Sequence, residues 1–103
     1  MSWDHWIHWR WRESLGKKTP PPGHLVPYPM VAALGLAGEC GEVMEHLKKH
    51  YRNGKHPGDA LLLEMGDLLH YLTVLGLAYG WTLADMQAAN IDKLTRRDAG
   101  ENV

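Results

Sequence analysis

From Met30 onward, apolar residues recur at three- and four-residue steps through Val31, Leu34, Leu36, Val43, Met44 and Leu47, and the pattern stops at Arg52-Asn53-Gly54. This spacing predicts a helix over about residues 29–52, with basic residues in its last turn and a glycine as its stop. His56-Pro57-Gly58-Asp59 reads as a turn in which Asp59 caps a second helix, and Ala60 to Tyr79 then runs without a breaker to Gly80. Thr82 is a good N-cap with Asp85 as its capping-box partner, and Leu83, Met86, Ala89 or Asn90, and Leu94 follow at helical steps to Arg97. Upstream, Trp3, Trp6, Ile7 and then Trp9 or Arg10 trace a short amphipathic helix over residues 3–14. Five of the six prolines lie between Gly16 and Pro29, Pro20-Pro21-Pro22 among them, so an extended connector tethers that helix to the rest. No segment sustains period-two alternation, and strands are not expected. The predicted fold is all-α: an antiparallel helix bundle of two long helices plus a C-terminal and a short N-terminal helix. Three units result: a Trp-rich and Pro-rich start (1–27), a helical domain (28–97) and a frayed tail (98–103).

The second long helix is apolar nearly all the way round, through Leu61, Leu62, Leu63, Met65, Leu68, Leu69, Leu72, Val74, Leu75 and Leu77. Such a helix is buried on most sides, and a chain this short supplies too few neighbours to do it, so oligomerisation completes the bundle as a homodimer or homotetramer. At about 100° per residue, Glu64, Asp67 and Tyr71 share one stripe of that helix. Ionised carboxylates there must be protonated, paired or bound to cations, and the helix itself carries no Lys or Arg. The first long helix repeats the arrangement, with Glu39 and Glu42 three apart and His46 four further on. An offset of 25 residues maps Glu39 onto Glu64 and Glu42 onto Asp67, and also Leu36 onto Leu61, Gly41 onto Gly66 and Leu47 onto Leu72. Packed antiparallel, the two helices bring four carboxylates together, with Gly41 and Gly66 removing bulk where something approaches. All-oxygen ligands suit a hard cation, Mg²⁺ or alternatively Mn²⁺.

Composition narrows the alternatives. With 11 Lys+Arg against 12 Asp+Glu the net charge is −1, so no basic field exists to hold polymeric nucleic acid. The start lacks the charged and apolar regions of a signal peptide, and the apolar stretch from Ala60 to Trp81 is broken by Glu64, Asp67 and His70, which argues against a membrane span and for a cytoplasmic protein. The N-terminal tryptophans, interleaved with Arg10 and Arg12, read as core or interface rather than as a base-stacking surface. Cys40, the single cysteine, lies on a different helix face from His46 and reads as a small buried thiol. Asp67-x-x-His70 hints at a di-iron carboxylate bundle, but that design needs a Glu-x-x-His motif on each of two helices and the first offers only Glu42-x-x-x-His46. A rival of another class is a non-catalytic oligomerisation module whose carboxylates pair with Lys and Arg across an interface. There is no phosphate-binding glycine loop, so a phosphate-bearing substrate would be held by metal together with bases drawn from Lys48, Lys49, Arg52, Lys55, Lys93 and Arg96.

The runs Leu34-Gly-Leu-Ala-Gly-Glu-Cys-Gly-Glu-Val-Met-Glu-His-Leu-Lys-Lys, Glu64-Met-Gly-Asp-Leu-Leu-His-Tyr-Leu and Asn90-Ile-Asp-Lys-Leu-Thr-Arg-Arg resemble the MazG-like nucleoside triphosphate pyrophosphohydrolases over about residues 28–97. A Glu-x-x-Glu helix, a spacer and a Glu-x-x-Asp helix occur in the family's order. The resemblance implies an all-α fold in which Glu39, Glu42, Glu64 and Asp67 bind Mg²⁺ and serve catalysis, with hydrolysis of an NTP or dNTP to the monophosphate and pyrophosphate. It also implies that Tyr71 and Asn90 lie near the nucleotide and that Lys93 serves the phosphates, to which Lys49 of the basic set above is assigned as a further substrate contact. Compact versions of this kind resemble those that bacteriophages and bacteria carry for nucleotide-pool control. The Trp-rich start and Pro-rich connector match no pattern of the family.

Overall fold

A computed structural model describes residues 2–17 and 28–103. Four helices follow one another, α1 (Trp3–Lys17), α2 (Tyr28–Asn53), α3 (Asp59–Ala78) and α4 (Leu83–Asp98), and no strand occurs among the described residues. The fold is all-α, with each helix boundary within a few residues of its expected place. The proline-rich connector expected after Gly16 falls largely on residues 18–27, outside the described residues; α1 itself continues to Lys17.

Helix ends follow local chemistry. Gly54 stops α2 with φ of 68°, its N–H donating to the His50 carbonyl at 2.8 Å. At the start of α4, Thr82 Oγ1 accepts from Asp85 N at 3.1 Å while an Asp85 carboxylate oxygen accepts from Thr82 N at 2.9 Å, a complete capping box. Asp59 does not cap α3 as the turn suggested. Gly58 occupies the N-cap with φ of 66° and no side-chain bond, and Asp59 lies in the first turn, where its charge complements the helix dipole. The tail expected to fray is tied back: beyond Gly100 (φ 93°), Glu101 Oε2 accepts from Arg96 Nε at 3.0 Å and the Val103 carbonyl accepts from Arg97 Nη2 at 3.1 Å.

The helices α2 and α3 run antiparallel, with partners descending in α2 as they ascend in α3: His46 meets Glu64, Glu39 meets Glu64 and Asp67, Gly35 meets Tyr71, and Ala32 packs with Val74. The last pair joins Ile7 of α1 in the fully buried apolar core, with Trp3, Leu75 and Leu77 packed around it. Trp3 Nε1 donates to Thr73 Oγ1 at 2.7 Å, and that buried hydroxyl donates in turn to the Leu69 carbonyl at 2.8 Å. Asp4 accepts from Leu83 N at 2.8 Å, so α1 also ties down the first turn of α4. Below that turn Gly76 lets Met86 and the Trp81 carbonyl approach; a Cβ there would meet the Met86 methyl at 2.9 Å and the carbonyl at 3.0 Å.

The single chain leaves much apolar surface in water. In the single chain α3 presents Leu62, Leu63 and Met65 to solvent, because α1 and α2 cover only part of its circumference. Trp6, Trp9, Ile91 and Leu94 are exposed as well, and every residue of α4 beyond Met86 is exposed. The Cα radius of gyration is 17.0 Å, against roughly 13 Å for a compact chain of this length. By length and composition α3 could also cross a membrane, though its Glu64 and Asp67 face the carboxylate of Glu39. Cys40, expected as a buried thiol, is exposed, since its position turns it away from α3.

Thr73 is the point at which α1 is fastened. Thr73→Val preserves shape but strands the indole N–H of Trp3, and should cost about 1–2 kcal/mol. Chemical denaturation followed by tryptophan fluorescence measures it, and an unchanged midpoint would contradict the role given to this bond.

Candidate metal centre

Glu39 projects from the middle of α2, and Glu64 and Asp67 sit one turn apart on α3, so the antiparallel register sets one carboxylate against two. One oxygen from each can be chosen so that all three lie within 4.8 Å of one another. Glu39 and Glu64 are half-buried and Asp67 is exposed, which leaves the cluster open on one side. His46 flanks it, its Nε2 lying 3.7 Å from Glu64 Oε1. Among the described residues no Lys or Arg makes an ion pair with any of the three carboxylates.

That crowding shows in the chemistry of Glu39. Burial foremost, then a hydrogen bond with Glu64 and the negative charges of Asp67, Glu64 and Glu42, hold its carboxyl above the ordinary value of 4.5. Glu39 Oε2 is buried and has no hydrogen-bond partner among the described residues. A buried carboxylate oxygen without a donor is costly in water-excluded surroundings and becomes favourable when a cation meets it. The donor set fits a hard divalent ion: three carboxylates, oxygen only, on rigid helices with an open side for further ligands.

The remaining expected site residues divide. Tyr71 continues the stripe from Asp67, and its ring lies so close to Gly35 that an added Cβ would come 2.3 Å from Cε1. Gly35 was not among the expected residues, although an isolated glycine within a helical pattern is the available signal for close approach. His70 stacks on Tyr71 with ring centroids 5.0 Å apart, and Arg10 of α1 reaches it, Nη1 lying 3.4 Å from Nε2. No sequence spacing could have paired residues 60 positions apart.

Glu42 stands apart from the close trio. It is exposed and acts on Glu39 through its charge, but it stands outside the group of carboxylates whose oxygens lie within 4.8 Å of one another. Gly41 and Gly66 have open space where a side chain would stand, and no described residue uses the room they leave. Lys49 is exposed on α2. Asn90 and Lys93 lie on the exposed stretch of α4, which meets α3 near Gly76, about 13 Å along the helix axis from Asp67. Among the described residues no ion pair joins Lys93 to the carboxylates.

Residues 30–100 match the family described as the MazG nucleotide pyrophosphohydrolase domain. The chain belongs to this family. The match spans α2, α3 and α4 and contains all three clustered carboxylates, while α1 precedes it. No curated protein and no solved structure matches the chain.

A raised carboxyl makes metal-free stability depend on pH in a defined direction. The folded protein keeps the Glu39 proton to higher pH than the unfolded chain, so the contribution of this group falls as pH rises from about 4.5 through the raised value. Glu39→Gln should flatten that decline and melt higher than the parent at neutral pH in chelator, while losing most of the stabilisation that millimolar Mg²⁺ or Mn²⁺ confers on the parent. Scanning calorimetry across pH, with and without metal, reads both effects.

Proposed function

We propose that this MazG-family chain hydrolyses a nucleoside or deoxynucleoside triphosphate to the monophosphate and pyrophosphate, in a reaction that requires Mg²⁺ or Mn²⁺. The observation that carries the reading is the Glu39, Glu64 and Asp67 cluster with its orphaned buried oxygen, lying inside the family match and lacking any basic partner but His46 among the described residues. A divalent ion held there would neutralise phosphate oxygens, stabilise charge on the departing pyrophosphate and acidify water.

The chain's own residues supply the rest. Glu39, Glu64 and Asp67 hold the charge that attracts the cation, with Glu42 adding to the local field, and one of these carboxylates accepts the proton of the attacking water. Among the described residues no cysteine joins the cluster, and Cys40 on the neighbouring position is exposed, which favours direct attack by water over a covalent intermediate. Tyr71, fixed against Gly35 beside the carboxylates, touches the sugar or base. Asn90 and Lys93 serve the nucleotide only if a second copy brings its α4 to the site.

Such an assembly is part of the proposal. A chain whose fully buried apolar side chains, among the described residues, are Ile7, Ala32 and Val74, with leucines of α3 and both Ile91 and Leu94 of α4 in water, gains most of its missing core by pairing with copies of itself. We assign it a homodimer or homotetramer, acting in the cytoplasm on free nucleotides without polymeric nucleic acid or membrane.

Two measurements test these assignments. Chromatography of reactions on each NTP and dNTP should show monophosphate and pyrophosphate as first products, and Asp67→Asn should reduce turnover by at least about 100-fold with the helical spectrum intact. Orthophosphate and a diphosphate as first products, or full activity of the Asn variant, would refute the reading; no turnover of any nucleotide would favour the non-catalytic oligomerisation module. Light scattering at micromolar concentration should report a dimer or tetramer, and a stable, active monomer would sink the assembly.

A further inference from the structure

We propose that Arg10 is a phosphate-binding residue of this site, delivered by α1 to hold the pyrophosphate end of a metal-bound triphosphate. The proposal rests on the pyrophosphohydrolase reading but concerns a residue outside the family match, which begins at residue 30.

Position is the first argument. His70 lies one helical turn beyond Asp67, and Arg10 Nη1 stands 3.4 Å from its Nε2, so the guanidinium sits at the end of the stripe that carries the carboxylates and Tyr71. Both Arg10 and Asp67 are near enough for their charges to act on the His70 ring. A triphosphate whose cation is held by the carboxylates carries more negative charge than that ion removes, and its far oxygens need donors. Lys48, Lys49, Arg52 and Lys55 are all exposed and lie toward the other end of the α2–α3 pair, with Lys48 already 4.0 Å from Glu45.

The state of Arg10 is the second argument. Its partner is an imidazole that burial, and then the Arg10 charge itself, hold below its ordinary range, so at neutral pH His70 is uncharged and accepts a hydrogen bond on Nε2. Among the described residues no carboxylate lies within 4.0 Å of Arg10. The guanidinium is thus aimed by a neutral ring, keeping its charge and its remaining N–H donors, whose planar fork matches phosphate oxygens.

Anchorage is the third. Trp3 bonded to Thr73, Asp4 bonded to Leu83 N and Ile7 in the core fix α1 without help from Arg10. An exposed, charged side chain one turn past that anchored face has no part in holding the helix down, so its removal leaves the fold in place.

The test compares the full-length protein with Arg10→Ala and Arg10→Lys by titration calorimetry, using magnesium pyrophosphate and, separately, a nucleoside monophosphate. Arg10→Ala should weaken magnesium pyrophosphate about 10- to 100-fold, the loss of one charged hydrogen-bonding contact, with Arg10→Lys recovering part of it. Monophosphate affinity and the thermal midpoint should stay unchanged, a separation that a merely structural role would not produce. Equal magnesium pyrophosphate affinity in parent and Arg10→Ala, no binding of it by the parent, or a loss shared by the monophosphate would each overturn the proposal. Turnover separates this inference from the broader reading: if the parent hydrolyses triphosphates and Arg10→Ala does so with unchanged kcat/KM, the Arg10 assignment alone fails. If the parent hydrolyses none, the pyrophosphohydrolase reading fails and the calorimetry still decides what Arg10 binds.

Discussion

Everything in this molecule is arranged around a repulsion. The antiparallel register of α2 against α3 sets Glu39 opposite Glu64 and Asp67, and among the described residues only His46 makes an ion pair with any of the three. A register shift of one residue would rotate the stripe by about 100° and disperse the carboxylates, so the repulsion itself favours sliding apart. What resists it lies one and two turns away. Tyr71 seated on Gly35 and Val74 packed with Ala32 favour this alignment, because Gly35 leaves room for that ring. The apolar end of the helix pair holds the polar middle in a conformation it would not choose.

The N-terminal helix strengthens that end. Ile7 enters the core beside Ala32 and Val74, Trp3 ties itself to Thr73, and Asp4 caps the first turn of α4. One short helix therefore joins the C-terminal half of α3 to the start of α4. The family match starts after it, so this brace lies outside the matched helical domain. Anchored at Thr73, the same helix also carries Arg10 to His70 and so borders the candidate site.

The charged cluster and the exposed leucines are two sides of one helix. α3 uses a single stripe for carboxylates and nearly all the rest of its circumference for apolar side chains, which demands neighbours that α1 and α2 do not supply. Assembly with further copies would cover Leu62, Leu63 and Met65 and give the exposed part of α4 something to pack against. The same step would draw water away from the carboxylates and increase their hold on a cation.

How much of this could be read from the residues depends on the range of the forces involved. Helix boundaries were legible because stops and caps are local: Gly54, Thr82 with Asp85, and the three- and four-residue apolar spacing act within a few positions. The pairing of Glu39 with Glu64 and Asp67 was legible too, since two helices with a 25-residue offset and a short turn can face their acidic stripes in few ways. Other features needed the folded chain. Only the rotation of α2 separates Glu42 from the close trio and turns Cys40 outward, a matter of tens of degrees that periodicity does not resolve. The contacts of Trp3 with Thr73, Asp4 with Leu83 and Arg10 with His70 join positions 60 to 79 residues apart. Local sequence determined the helices and their acidic stripes; tertiary packing decided which carboxylates meet, because side-chain pairing across elements depends on rotation and register that no single helix specifies.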